Sequence, residues 1–150
     1  MARAIQLSLD NVLRDQGGPF GAVVVKNSTI VAEGVNRVTA IPDPTAHAEV
    51  VAIRQACATL GVFELKDCEL YSSCEPCPMC LGAIYWARLA RVYFANFAAD
   101  ASEVGFDDSF IQHQLAQPRE RRAIPMVQMM REQALVAFRA WRERPNKIPY

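Results

Sequence analysis

The most constraining feature of this sequence is a cluster of three cysteines within seven residues, Cys74-Glu75-Pro76-Cys77-Pro78-Met79-Cys80. The cluster lies where an apolar run that predicts a β-strand (70–73) gives way to one that predicts a helix (81–88). Upstream, the segment Pro44-Thr45-Ala46-His47-Ala48-Glu49 places a histidine and a glutamate two residues apart. If the two segments act together, the fold has to bring the starts of two helices to one end of a sheet.

The spacing of these side chains suits a catalytic zinc site. Cys77 and Cys80 are three residues apart, so on a helix they face the same way, and the unpaired backbone N–H groups of its first turn favour thiolates. Together with His47 they offer two sulfurs and one nitrogen, which leaves one tetrahedral position for water. Glu49 can reach that water without binding the metal. We therefore expect zinc on His47, Cys77 and Cys80, with Glu49 as the group that moves the proton.

Three other uses of the cysteines are open from the residues alone. A structural zinc site would take Cys74 as a fourth ligand, because such sites are closed by four protein ligands. An iron–sulfur centre would match the spacing of Cys74, Cys77 and Cys80, although position 84 is Ile84 where a fourth cysteine is needed. A thioredoxin-like redox pair would leave the upstream histidine and glutamate without a role.

Composition favours a single globular domain, residues 1–150, in a reducing compartment. The chain has 150 residues, of which 51% are hydrophobic, and this is enough to bury a sizeable core. Its five cysteines, three of them in one cluster, argue for metal binding over disulfides and hence for the cytoplasm. We find no signal-peptide core near the start of the sequence and no apolar run of membrane-spanning length.

The charge is balanced overall but unevenly spread. The 16 basic and 16 acidic side chains give a net charge of zero, so there is no general reason to expect a nucleic-acid partner. Residues 115–150 nevertheless contain eight basic side chains against three acidic ones. This basic third keeps an RNA substrate open, although a solvated helix face is the simpler explanation.

The hydrophobic pattern predicts an α/β fold. We predict a three-layer α/β/α sandwich, in which a five-stranded mixed sheet carries helices on both faces and the metal-ligand helices start at one end of the sheet. Strand–helix–strand alternation further implies parallel neighbours. The predicted strands are 20–26, 29–33, 69–73, 91–95 and, as a candidate fifth, 126–130. We predict four helices. The first ends at Gly17-Gly18, the second covers 44–60, the third runs from the cysteine cluster to about 88, and the fourth covers 133–144. For the second helix we expect Asp43 or Thr45 as its N-terminal cap and Gly61 as its C-terminal stop.

The same pattern predicts which side of two helices is apolar. In the first helix the apolar residues Ile5, Leu9, Val12 and Leu13 fall on one stripe. In the last helix we expect Leu135, Phe138 and Trp141 to point inward. Cys57 and Cys68 read as small buried hydrophobic residues.

At this point the chain resembles the cytidine-deaminase superfamily, whose zinc-dependent nucleobase deaminases carry H-x-E and P-C-x-x-C, and within it the bacterial guanine deaminases. The resemblance covers nearly the whole chain and rests on residues 18–22, 43–49, 73–80 and 105–108. The first three stretches recur in tRNA adenosine deaminases. The fourth, Gly105-Phe106-Asp107-Asp108, and the terminal Tyr150 point more narrowly to the guanine enzymes.

The resemblance implies an activity and a set of roles. It implies one zinc ion per subunit on His47, Cys77 and Cys80, and hydrolysis of the purine guanine to xanthine and ammonia, with a tRNA adenosine or nucleoside deaminase as the alternative. It implies Glu49 as proton shuttle and Asp108 as an aid to proton transfer. It further implies a homodimer that exchanges a C-terminal segment of about 131–150. The implied substrate contacts are Phe20, Asn36, Ala48, Trp86 and Tyr150.

Several of these residues have simpler explanations that the sequence leaves open. Phe20 offers a face on which a purine can stack, but it can equally pack in the core. Asn36 can match a nucleobase edge or cap a loop. Asp107 and Asp108 are adjacent, and we expect Asp107 to cap the following helix and Asp108 to serve the site. Trp86 fits core packing better than a substrate wall.

Overall fold

The computed structural model describes every residue from Met1 to Tyr150 and contains six α-helices and four β-strands. Contacts within the chain divide it into two compact units, Met1–Ser109 and Phe110–Tyr150. No helix combines the length and apolar character needed to cross a membrane. In chain order the elements are α1 (Ala2–Leu13), β1 (Gly21–Lys26), β2 (Thr29–Val35), α2 (Ala48–Leu60), β3 (Cys68–Cys74), α3 (Pro78–Trp86), β4 (Arg91–Asn96), α4 (Ala98–Glu103), α5 (Ser109–Ala116) and α6 (Arg131–Glu143), with a 3-10 turn at Arg119–Arg121.

The first unit is built on a mixed sheet with the strand order β2-β1-β3-β4. Strand β1 runs antiparallel to β2 and β3, and β3 runs parallel to β4, as strand–helix–strand alternation predicts. Asn27 and Ser28 both have positive φ (49° and 63°), which suits the tight turn of the β1–β2 hairpin. The predicted α/β fold is confirmed for this unit.

Helices α1 and α2 cover opposite faces of β1. On one face, Gly21 lies so close to α1 that a β-carbon there would be 2.5 Å from the Ala4 carbonyl oxygen. On the other face, Ala22 and Val24 join a core cluster with Ala52 of α2. Successive residues of a strand point to opposite faces, so this alternation establishes a helix–sheet–helix sandwich.

The fifth strand predicted at 126–130 is not present. The sheet has four strands, and the residues from Met126 to Met130 are exposed and form no strand. Met130 is the N-cap residue of α6 and has positive φ (52°), a conformation that does not occur within a regular strand. A strand is stabilised by hydrogen bonds between its backbone N–H and C=O groups and those of a neighbouring strand. No such neighbour is present here, so this apolar run does not form a strand.

Two predicted apolar faces are also not buried in this chain. In α1 the buried residues are Ala4 and Asn11, whereas Ile5, Leu9, Val12 and Leu13 are exposed. The side of α1 that lies against the sheet carries Ala4, Leu7 and Ser8, the residues nearest Gly21, and the predicted stripe is on another side of the helix. In α6 no residue is buried, and Phe138 is 75% exposed and Trp141 is 44% exposed.

Candidate active site

His47 is placed at the start of α2 by a turn that the sequence did not reveal. The helix was predicted from residue 44, but it begins at Ala48. The carboxylate of Asp43 accepts hydrogen bonds from the backbone N (2.8 Å) and the hydroxyl (2.7 Å) of Thr45, which holds these residues outside the helix. His47 is therefore the N-cap residue, in an extended conformation, with its ring at the helix start. At the far end, Gly61 stops α2 as predicted.

The two cysteines lie at the start of α3, directly after the end of β3. Cys77 is the N-cap residue and Pro78 opens the helix, a position where the missing proline N–H costs nothing. Cys80 follows one turn later and is fully buried. The predicted position of both thiols in the first turn of a helix is confirmed to within one residue.

The three side chains converge with the geometry of a zinc site. His47 Nδ1 lies 3.5 Å from the Sγ atoms of both Cys77 and Cys80, and all three ligand atoms are within 4.8 Å of one another. Tetrahedral zinc, with Zn–S of about 2.3 Å and Zn–N of about 2.0–2.1 Å, needs about 3.6 Å between nitrogen and sulfur. Both nitrogen–sulfur distances therefore match those of a zinc site.

The electrostatics of the group favour a cation. Hydrogen bonds from Cys80 and with His47 lower the pKa of Cys77 to about 4. The same pairing raises the pKa of Cys80, because a second thiolate beside the first is unfavourable. The bond with Cys77 raises the pKa of His47. The group thus favours a thiolate at Cys77, and a divalent cation would offset the repulsion that raises the pKa of Cys80.

Glu49 lies next to this group in the first turn of α2 and is buried. Its Oε2 accepts a hydrogen bond from Cys80 Sγ at 3.4 Å, and its Oε1 accepts one from the Ser72 hydroxyl at 3.3 Å. Burial raises the pKa of Glu49 above its usual value, although its own backbone N–H opposes the shift. A carboxylate with a raised pKa beside a metal site is suited to take up and release a proton.

Cys74 stands apart from the metal-binding group. Its thiol donates to the Phe97 carbonyl oxygen at 3.7 Å, and burial raises its pKa to about 11. The group of side chains that could hold a metal contains His47, Cys77 and Cys80 without Cys74. A four-ligand structural zinc site and an iron–sulfur centre both need Cys74, so both alternatives are wrong for this geometry.

Comparison with known proteins agrees with the geometry. Residues 1–96 match the family described as the cytidine and deoxycytidylate deaminase zinc-binding region. The chain belongs to the cytidine and deoxycytidylate deaminase family. Guanine deaminase of Bacillus subtilis (strain 168) is 55% identical over 150 residues, covering 100% of this chain and 96% of that protein. Its X-ray structure superposes with a TM-score of 0.96, over 99% of this chain and 95% of that one.

More distant members of the deaminase family match part of the chain. The tRNA-specific adenosine deaminase of Aquifex aeolicus (strain VF5) is 44% identical over 77 residues, 51% of each protein. A structure of guanine deaminase from Nitrosomonas europaea has a TM-score of 0.68 at 34% identity, covering 71% of this chain and 62% of that one. The shorter matches leave a large part of each protein unaligned.

Phe20 and Asn36, two predicted substrate residues of this deaminase, lie side by side before β1 and after β2. The backbone N of Asn36 donates to the Phe20 carbonyl oxygen at 3.1 Å. Phe20 is half-buried and meets Phe106 edge-to-face, with ring centroids 4.9 Å apart. Asn36 is buried, and its Oδ1 accepts the Val38 backbone N at 3.3 Å, so it caps the loop. That bond leaves the amide nitrogen of Asn36 free for another role.

Asn11 of α1 holds both of these segments and was missed in the sequence. Its Nδ2 donates to the Gly18 and Asn36 carbonyl oxygens, each at 2.9 Å, while its Oδ1 is buried without a partner. The signal that could have found it is weak: one asparagine within an otherwise apolar helix pattern. Asn11 fixes the backbone beside Asn36, and thereby the place from which that side chain projects.

The remaining predicted residues are spread over both units. Asp107 caps α5 as predicted, accepting the backbone N and the hydroxyl of Ser109 at 2.9 and 3.0 Å, and the first of these bonds lowers its pKa. Asp108 is half-buried in the same segment. Ala48 is buried at the start of α2. Trp86 is 69% exposed at the end of α3, so the expectation of core packing is wrong, and Tyr150 is 73% exposed in the second unit.

Proposed function

We propose that this protein is a zinc-dependent guanine deaminase that hydrolyses guanine to xanthine and ammonia. The observation that carries the proposal is the convergence of His47, Cys77, Cys80 and Glu49 in a chain that is similar over its whole length to the guanine deaminase of Bacillus subtilis. Deamination of a purine base is a hydrolysis of a carbon–nitrogen bond, and it needs an activated water and a group that moves protons.

We propose one zinc ion per subunit, held by His47 Nδ1 and the two thiolates. When bound, zinc supplies a Lewis acid that lowers the pKa of a coordinated water towards neutrality. The side chains would supply three protein ligands and not four, because the Cys74 thiol donates to the Phe97 carbonyl oxygen instead. A site with three protein ligands keeps the fourth position for water or substrate.

Glu49 is proposed as the proton carrier. Its buried carboxylate lies 3.4 Å from Cys80 Sγ, at the edge of the metal-binding group. Burial raises its pKa, so it can accept a proton from the attacking water and return it to the purine ring within one catalytic cycle. Asp108, half-buried beside the helix cap Asp107, is proposed to assist the departure of the amino group.

Phe20, Asn36, Ala48, Trp86 and Tyr150 are proposed to contact the base. Phe20 can stack on the purine, and the amide of Asn36 can donate to a ring or carbonyl acceptor. Ala48 adjoins both His47 and Glu49 in the chain. Trp86 and Tyr150 are exposed aromatic side chains, which suits a role in closing a pocket.

We further propose a cytoplasmic homodimer in which about 131–150 is exchanged between subunits. In the unit Phe110–Tyr150 no helix has a buried residue, and large apolar side chains such as Phe138 are exposed. Exposed apolar surface on this scale is typical of a subunit interface. The free thiols of the metal site fit a reducing compartment. Light scattering on the purified protein should give twice the chain mass, and a monomer at micromolar concentration would contradict the proposal.

The competing substrate is a tRNA or nucleoside carrying the same kind of amino group. It is supported by the similarity of half the chain to tRNA-specific adenosine deaminases and by the basic C-terminal third. The zero net charge and the more extensive similarity to guanine deaminase weigh against it.

Ammonia release from guanine, guanosine, cytosine and tRNA tests the assignment. We expect turnover of guanine at rates at least about 100-fold above the others, a threshold well below the roughly 10⁴-fold discrimination that a site built around polar contacts can achieve. The matched control is Glu49→Gln, which should keep its zinc and lose about 10²–10⁴-fold in kcat. Preferential turnover of tRNA, or a Glu49→Gln variant as active as the wild type, would contradict the proposal.

A further inference from the structure

A single hydroxyl interrupts an otherwise hydrophobic row on β3. The residues that face α2 along this strand are Cys68, Leu70, Ser72 and Cys74, and all four are buried. Ser72 is 1% exposed, and its hydroxyl hydrogen-bonds Glu49 Oε1. A hydroxyl is costly to bury unless it is hydrogen-bonded, so its presence in this row needs a reason. Glu49 provides that reason.

The Glu49 carboxylate is held at both oxygens by side chains. Ser72 Oγ donates to Oε1 at 3.3 Å and Cys80 Sγ donates to Oε2 at 3.4 Å. A cysteine that ligates zinc is a thiolate and has no proton to donate. With metal bound, the Cys80 contact is therefore lost, and Ser72 is the side chain that still donates to the carboxylate.

We infer that Ser72 is a positioning residue, whose hydroxyl fixes Glu49 Oε1 so that Oε2 stays directed towards the metal ligands. The inference rests on the proposed role of Glu49. A glutamate has three rotatable side-chain bonds, and its helix fixes only the backbone. Catalytic groups must be held within about 0.5 Å of their working geometry, and misplacement by about 1 Å can cost about 100-fold in rate. An anchored carboxylate at this position avoids that loss.

Three single variants test the inference. Ser72→Ala should lower kcat by about 10-fold or more, with KM and zinc content unchanged, and Ser72→Thr should restore kcat because threonine keeps the hydroxyl. Ser73→Ala is the matched control, since Ser73 is the next residue, is equally buried and accepts a bond from the Gly21 backbone N instead. It should lower the melting temperature but change kcat less than about threefold.

Ser72→Ala combined with Glu49→Gln shows whether Ser72 acts through Glu49. If it does, the double variant should be no slower than Glu49→Gln alone, because the group that Ser72 positions is already disabled. If the Ser72→Ala loss multiplies the Glu49→Gln loss in full, Ser72 acts elsewhere and the inference is overturned. Equal kcat losses in Ser72→Ala and Ser73→Ala would overturn it as well, since both would then reflect general loosening of β3.

A structural readout separates this inference from the proposed function. In a crystal structure of zinc-loaded Ser72→Ala, the Glu49 carboxylate should adopt more than one orientation, whereas in the wild type it should adopt one. A single, unchanged orientation in the variant would overturn the inference whatever the substrate is. Absence of guanine turnover in the wild type would refute the proposed function alone, because the orientation of Glu49 is observed without turnover.

Discussion

Gly34→Ala should damage the metal site although Gly34 touches none of its ligands. Gly34 lies in β2 against the first turn of α2, and a β-carbon there would be 2.6 Å from the Ala52 backbone N, 3.0 Å from its Cβ and closer still to the Ala48 carbonyl oxygen. Backbone atoms cannot rotate away. Ordinary contact begins at 3.4 Å. Relief of the Ala52 contact alone requires α2 to move from β2 by about 0.8 Å, and relief of the closer Ala48 contact requires more, so His47 and Glu49 move with the helix while the cysteines on α3 do not.

The expected losses follow from that displacement. Overpacking of this kind costs about 1–3 kcal/mol, which for a chain of this size lowers Tm by about 2–4 °C per kcal/mol. A shift near 1 Å of His47 and Glu49 relative to Cys77 and Cys80 should also cost about 100-fold in kcat/KM. Thermal denaturation, zinc titration and guanine turnover measure these effects.

Gly82→Ala is the matched control for that substitution. Gly82 lies in α3 and a β-carbon there meets nothing within 4 Å, so alanine should raise stability by about 0.5–1 kcal/mol. If Gly34→Ala bound zinc as tightly and melted at the same temperature as the wild type, the close packing of β2 against α2 could not be what positions His47 and Glu49.

Three further outcomes are expected. Cys74→Ser should retain zinc in elemental analysis whereas Cys77→Ser should lose it, because Cys77 and not Cys74 belongs to the group that could hold a metal; equal zinc content would contradict this. The hydrogen bond from Arg3 lowers the pKa of Glu33, so this pair stabilises the fold above the usual glutamate pKa, and the stabilisation is lost as pH falls through the lowered pKa. Glu33→Gln should therefore lower Tm slightly at pH 7 and leave it unchanged in acid. An effect on Tm that does not depend on pH would contradict this prediction. Asn11→Ala, which removes one buried and one part-buried hydrogen bond worth about 1 kcal/mol each, should raise KM for guanine more than it lowers kcat; an unchanged KM in steady-state kinetics would refute its role in holding the backbone at Gly18 and Asn36.

The metal-binding group was predictable because its information is local. Cys77 and Cys80 are three residues apart, and a helix start fixes where two such thiols point. His47 and Glu49 are likewise tied by their spacing. The sequence did not reveal where α2 begins. Asp43 and Thr45 can form hydrogen bonds either in a turn before the helix or as caps of a longer helix, and the structure has the turn.

The C-terminal third was predicted least well, for a physical reason. An apolar pattern such as Leu135, Phe138 and Trp141 shows that a face needs to be covered, but it does not say by what. The run at 126–130 is apolar enough for a strand, yet a strand depends on a neighbour for its hydrogen bonds, and none is encoded locally. The structure leaves Phe138, Trp141 and the apolar side chains of 126–130 exposed, with Leu135 half-buried.

Single polar residues whose hydrogen-bond partners are distant in sequence were also not predicted. Ser72 and Asn11 each lie within an apolar pattern, where one serine or asparagine looks like a tolerated exception. Their partners are 23 and 25 residues away in sequence. Only the packed structure reveals that each hydroxyl or amide is directed at the proposed proton carrier or at the backbone of a substrate residue.

Zinc K-edge X-ray absorption on the purified protein tests the central claim most directly, because it counts the atoms around the metal. We predict one zinc per chain, with two sulfur neighbours at about 2.3 Å and two nitrogen or oxygen neighbours at about 2.0–2.1 Å, the second of which is water. A shell of three or four sulfurs, or protein that contains no zinc, would contradict a three-ligand site that leaves room for Glu49 to move a proton.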